Sequence, residues 1–133
     1  MHPRDTDYHL AKNPREYRRC RTLLSKEGIS QTLSYPTVFA ERGGEVIGVL
    51  GTIPNNDMIV AGPLVIRTEG NTAILALRLI EAYELVLKSS GVKFYNFGIE
   101  TTQETWISAA VRAGAVKRTE VDGTVWFQKD VNG

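Results

Sequence analysis

Residues 58–99 constrain this chain more than any other stretch. An apolar run, Met58-Ile59-Val60-Ala61-Gly62-Pro63-Leu64-Val65-Ile66, gives way to Arg67-Thr68-Glu69-Gly70-Asn71-Thr72-Ala73, and a helical pattern then lasts to about Lys88. Ser89-Ser90-Gly91 ends the helix, and a second apolar run spans Val92 to Ile99. The first run barely alternates, as in a central strand buried on both faces. Strand, helix and strand in this order close as a right-handed crossover, so the two strands are expected to lie parallel. Within the helix, Leu75, Leu79, Ala82 and Val86 form one stripe, and Ala76, Ile80, Tyr83 and Leu87 its neighbour. Two adjacent stripes make the wide apolar face of a helix packed on a sheet.

The joint at 67–73 has chemical potential of its own. A strand that turns through glycine into a helix presents unpaired N–H groups and the positive end of the helix dipole, which suit a phosphate or pyrophosphate. A nucleotide-like cofactor is one reading of Gly70; a plain strand-to-helix loop is the other.

The flanks supply the remaining elements. Tyr8-His9-Leu10-Ala11 reads as a strand. Asn13-Pro14-Arg15-Glu16 reads as a capping box opening a helix from Pro14 to Lys26 that stops at Gly28, with Tyr17, Cys20, Leu23 and Leu24 on one face. Arg15, Arg18, Arg19 and Arg21 spread over the rest, as a solvated face or as a contact for an acidic partner or phosphate. Residues 28–36 read as a loop with room for one helical turn. Thr37–Glu41 and Glu45–Thr52 flank Arg42-Gly43-Gly44 as a hairpin, and Glu41 and Glu45 beside that turn are expected to face solvent. Pro54-Asn55-Asn56-Asp57 is the next turn. After Ile99, Thr101 or Thr102 caps a last helix with Glu104 near its third position; the helix carries Trp106, Ile107, Ala110, Val111 and Ala113 and ends at Gly114. Strands at about 115–121 and 124–130 close a hairpin over Asp122-Gly123.

Bulk properties exclude several classes. A chain of 133 residues suits one domain, 1–133, and 42% hydrophobic with 23% charged residues suits a soluble globular one. A net charge of +1 argues against nucleic-acid binding through bulk electrostatics. No apolar run approaches the roughly 18–20 residues that span a bilayer, and the first residues lack a secretion signal, so no membrane contact and a cytoplasmic location are expected. Cys20 is the sole cysteine, so no internal disulfide can form and no zinc spacing occurs. Cys20 reads as a small core residue, and His9 as structural.

The element order is strand, helix, three antiparallel strands, glycine turn, helix, parallel strand, helix, hairpin. With Arg67-x-x-Gly70-x-Thr72 and Ala113-Gly114-Ala115, it resembles the GNAT superfamily of acyl-CoA-dependent N-acyltransferases over about residues 7–130. Phage-encoded GNAT-like proteins are of similar size. The resemblance implies a mixed α/β (α+β) fold: a mostly antiparallel twisted sheet with helices on both faces and a central parallel pair splayed at a cofactor cleft. It further implies acetyl-CoA (coenzyme A) as cofactor. The pantetheine arm would lie along Leu64, Val65 and Ile66. Its pyrophosphate would sit on the N–H groups of Thr68, Glu69, Gly70, Asn71, Thr72 and Ala73, with charge from Arg67. Gln103 stands where the family often contacts the cofactor arm.

The same resemblance implies N-acetyl transfer to a primary amine, of a small molecule or a protein, by direct attack in a ternary complex. The family often places a carboxylate on the strand before the glycine turn; residues 58–66 hold none. It often places a Tyr four residues before the last Gly; that position is Ala110. Glu100, ending the second parallel strand, is the best remaining base, and Tyr95 and Tyr35 are possible acids. Trp106, Trp126 and Phe127 read as core or as a substrate wall. The rival reading is a GNAT-fold binding or structural module without catalysis, for instance a phage virion or host-takeover component. Either would act as a monomer or homodimer.

Overall fold

The computed structural model describes residues 5–55, 57–67 and 72–132. Ten elements follow one another: β1 (Asp7–Leu10), α1 (Pro14–Lys26), β2 (Ser34–Arg42), β3 (Glu45–Ile53), β4 (Val60–Ile66), α2 (Thr72–Ser89), β5 (Phe94–Glu100), α3 (Glu104–Arg112), β6 (Val116–Val121) and β7 (Thr124–Asp130). The strands form one sheet of seven in the order β1-β2-β3-β4-β5-β7-β6. All neighbours are antiparallel except β4 and β5, which run parallel as the crossover requires.

Handedness decides where the helices lie. The β4-α2-β5 and β5-α3-β6 connections both join parallel strands and advance in the same direction across the sheet. Right-handed crossovers therefore put α2 and α3 on the same face. Leu75, Leu79, Tyr83 and Leu87 of α2 pack with Val38, Ala40, Leu50, Ala61 and Tyr95 there, and Ile107 and Ala110 of α3 with Ala115, Val125 and Phe127. The opposite face belongs to α1, whose Cys20, Leu23 and Leu24 meet Phe39, Val49 and Val65, joined by Ala11 and Leu33. No residue of β5, β6 or β7 enters that cluster. Among the described residues, no helix therefore lies over that half of the α1 face.

Local chemistry explains the helix ends. The Asn13 side chain accepts the Glu16 N–H at 2.9 Å, and Glu16 reaches back to the N–H of Lys12 at 2.7 Å, one residue before the cap. At the far end, Gly28 (φ +74°) donates to Ser25 O and Ile29 to Leu24 O, a Schellman closure that a left-handed residue makes possible. The expected cap of α3 is corrected: Gln103, not Thr101 or Thr102, holds that position, because the Gln103 N–H turns back onto Glu100 O at 2.9 Å. No side chain caps α3, and Glu104 is its first residue.

Other expectations shift as well. Residues 29–33 contain no helical turn, and β2 begins at Ser34. Trp106 is 41% and Tyr35 57% exposed, so neither fills core, whereas Phe127 is buried. Glu41 does not simply face water: Arg19, whose guanidinium lies over the Phe39 ring, binds it and holds its carboxyl below the usual range. Glu45 pairs with Arg67. Arg19 thus leaves the solvated set, while Arg15, Arg18 and Arg21 stay exposed.

Candidate functional site

The parallel pair barely pairs. Val60 opposite Asn96 is its single registered contact. The cause is written in β4. Leu64 lies opposite Leu50 and Ala61 opposite Thr52, so Gly62 and Pro63 together oppose Gly51. Two residues against one is a β-bulge, which bends the strand that carries it. Pro63 adds no N–H to either neighbour. Beyond the bulge β4 stays with β3 and leaves β5, which opens a wedge between 62–66 and 97–100 at the C-terminal ends of both strands.

Backbone alternation then lines the wedge with polar groups. Arg67 donates to Ile47 O at 2.9 Å, so Arg67 and Val65 address β3, while Leu64 and Ile66 turn their N–H and C=O to the open side. On β5, Asn96 donates to Ile59 O and Thr101 to Gly123 O, so Gly98 and the Glu100 N–H also address the wedge. An extended, amide-bearing arm fits such a gap as an added strand would. Gly98 carries no side chain, and the Thr124 and Trp126 side chains occupy the space where its Cβ would be.

The sequence-derived site residues fall into distinct places. Leu64 and Ile66 border the wedge through their backbone, whereas Val65 is buried toward α1. The Arg67 side chain bonds Glu45 on β3. Thr68, Glu69, Gly70 and Asn71 lie outside the described residues. Thr72 and Ala73 form the exposed first turn of α2. Gln103 caps α3 next to the end of β5, and Glu100 stands exposed at that end, opposite Thr124.

Tyr95 sits elsewhere. It lies near the start of β5, buried on the α2 face beside Tyr83 and Phe97, and its hydroxyl donates to Glu84 Oε2 at 2.5 Å. Burial, then that hydrogen bond to a carboxylate, raises its pKa far above the ordinary tyrosine value. A proton held this way, at the closed end of the wedge, is not available to a leaving group at the open end. Burial likewise pushes the Cys20 thiol up to about 12, as suits a core residue rather than a nucleophile. His9 packs on Phe39, 3.6 Å from Glu41. Sequence reasoning passed over Gly62-Pro63, although a Gly-Pro pair inside a strand is the signal of a bulge.

The sequence matches no family model and no curated protein. Many solved structures do share this architecture. The ribosomal-protein-S18-alanine N-acetyltransferase from Escherichia coli superposes with a TM-score of 0.75 at 11% identity, over 96% of this chain and 94% of that one. An acetyltransferase of the GNAT family from Streptococcus pneumoniae gives 0.74 at 11% identity over 95% and 99%. An aminoglycoside 6'-N-acetyltransferase complexed with coenzyme A gives 0.70 at 16% identity over 94% and 97%. A seven-stranded sheet parted between its parallel strands, with one helix on one face and two on the other, is the fold of the GNAT acetyltransferases, and this chain has that fold.

Proposed function

We propose that this chain, acting as one domain, is an acyl-CoA-dependent N-acetyltransferase that moves an acetyl group from acetyl-CoA to a primary amine while both are bound. The observation that carries this reading is the wedge with its row of outward backbone groups at Leu64 and Ile66. Those groups would hold the pantetheine arm, and the first turn of α2 with the preceding 68–71 would hold the pyrophosphate. The cofactor supplies the activated thioester. An N–H of β4 stabilises the developing oxyanion. Glu100 takes a proton from the ammonium form of the acceptor, which is otherwise predominant at neutral pH. The amine nitrogen would bond to the acetyl carbon as the carbon–sulfur bond breaks, the thiolate leaving with the electron pair and the second nitrogen proton passing to solvent. Complexes of similarly folded proteins with coenzyme A support the choice of cofactor.

A thermal-shift titration tests this reading. Acetyl-CoA is expected to raise the melting temperature, and Gly70→Glu to abolish the rise through bulk and charge. No rise at millimolar cofactor rejects the binding claim. A second reading, a binding module without catalysis, is favoured by Ala110, by the lack of a carboxylate on β4 and by the engaged hydroxyl of Tyr95. Thiol release with a panel of amines separates the two: binding without release selects the module.

A further inference from the structure

Gly98 has a crowded neighbourhood. A Cβ at that position would lie 2.7 Å from Thr124 Cγ2 and 3.1 and 3.2 Å from Trp126 Cζ3 and Cη2. The indole of Trp126 therefore lies across the backbone of Gly98, on the half of the α1 face that no helix covers. Gly98 belongs to the strand that borders the wedge, so the far edge of the ring reaches toward the wedge. In register, Trp126 faces Gly98 and Thr124 faces Glu100, which makes Trp126 and Glu100 diagonal neighbours on this face. Diagonal neighbours stand about 7–8 Å apart, within reach of an aromatic side chain. Asn96 and Gln128 form the next row, and Gln128 Oε1 accepts from the Arg118 guanidinium at 2.7 Å.

We infer that Trp126 and Glu100 form the receiving wall for the acceptor, and that they select a monoamine on an apolar or aromatic stem. The inference rests on the proposed acetyl transfer and names its acceptor class. Glu100 supplies one negative charge where the ammonium must arrive. The indole offers a flat apolar surface for the stem and attracts a cation over its face. Glu100 at the edge of this face matches a single positive charge, and the Arg118 guanidinium, which donates to Gln128 Oε1 at 2.7 Å, disfavours the further charges of a polycation. Gly98 is the enabling residue, since any side chain there would push the ring off its seat.

The test uses phenethylamine against spermidine. In a Trp106→Phe background Trp126 is the sole tryptophan, and its emission is expected to change on titration with phenethylamine but not with spermidine. Trp126→Ala is expected to raise the KM for phenethylamine about tenfold, the loss of one good aromatic–cation contact, with the acetyl-CoA thermal shift unchanged. Trp126→Phe recovers most of the loss, and Gly98→Ala raises KM in the same direction by displacing the ring. An amine-dependent change in emission without any thiol release keeps the acceptor wall and removes the catalytic reading. Turnover of phenethylamine with KM unaltered in Trp126→Ala, emission indifferent to the amine, or a preference for spermidine overturns the inference.

Discussion

Asn96 binds the carbonyl of Ile59 with two donors, its backbone N–H at 2.8 Å and its side-chain Nδ2 at 3.3 Å. This clamp stands at the last point where the two parallel strands meet. It fixes the vertex of the wedge, and hence how far apart Leu64 and Gly98 stand. Asn96→Ala keeps the backbone bond and loses the other, which is expected to cost about 0.5–1.5 kcal/mol of stability. If the vertex sets the cleft, acetyl-CoA affinity falls as well. Urea unfolding and a thermal-shift titration on the same variant measure both; an unchanged affinity would detach the clamp from the cleft.

Gly62 is the residue that lets β4 bulge. Its φ of +143° lies where L side chains rarely go, although a Cβ would meet only Ile53, at ordinary contact distances of 3.5 and 4.0 Å. The obstacle to substitution is therefore conformational, at about 1–3 kcal/mol. Gly62→Ala is expected to lower stability by that amount and to weaken acetyl-CoA binding through a shifted bulge. A Gly62→Ala variant that is as stable as the parent, by denaturant titration, would contradict this account.

These two residues also mark how much was legible in the sequence. The crossover could be read because local patterns sufficed: two apolar runs, a two-stripe helix and glycine stops predict β4, α2 and β5 to within two residues at either end. The wedge needed more. Its opening depends on the register of Leu64 against Leu50 and Ala61 against Thr52, and register is a property of a strand pair. Tyr95 failed as a candidate acid for a similar reason. A tyrosine in the second parallel strand is visible in the sequence, but its burial beneath α2 and its bond to Glu84 come from packing between elements distant along the chain. Glu100 could be placed because the end of a strand is a local property.

Thr52 and Tyr83 make a buried hydroxyl chain whose direction can be derived. Thr52 Oγ1 lies 2.7 Å from Pro36 O and 2.6 Å from the Tyr83 hydroxyl. The carbonyl can only accept, so the single Thr52 proton goes there and Tyr83 is the donor to Thr52. Thr52→Val strands both a buried donor and a buried acceptor, whereas Tyr83→Phe removes one donor and leaves the Thr52–Pro36 bond intact. Thr52→Val is expected to cost more, about 1–3 kcal/mol against about 1 kcal/mol. Equal losses in chemical denaturation would reverse the assigned direction.

The tyrosines should divide on alkaline titration. Burial pushes Tyr83 up to about 12 from the ordinary 10.0, and Tyr95 is raised further in the same direction. Because the folded values exceed the unfolded one, both groups contribute their full stability below pH 10; Tyr83 loses it as pH climbs to about 12, and Tyr95 over a range that extends higher. Of the five tyrosines, these two are expected to stay un-ionised in the ultraviolet difference spectrum until the chain unfolds. Five tyrosines ionising together in the folded protein would refute the buried placement.

Glu84 ties α2 to β5 and β7 at the closed end of the wedge. Its Oε2 accepts from Tyr95 at 2.5 Å and from Lys129 Nζ at 2.7 Å, with the Glu84 and Lys129 side chains only 18% and 11% exposed. Removing one member of a buried pair leaves the other charge uncompensated, a loss of about 3–5 kcal/mol. Glu84→Gln should approach that loss, because Lys129 is the less exposed partner and has no other acceptor among the described hydrogen bonds. Lys129→Met should cost less, since Glu84 retains the Tyr95 hydroxyl and more contact with water. The double variant Glu84→Gln/Lys129→Met is expected to be more stable than Glu84→Gln alone, because no charge is then left buried. A double-mutant cycle by urea unfolding decides this, and strictly additive losses would mean that the pair is not coupled.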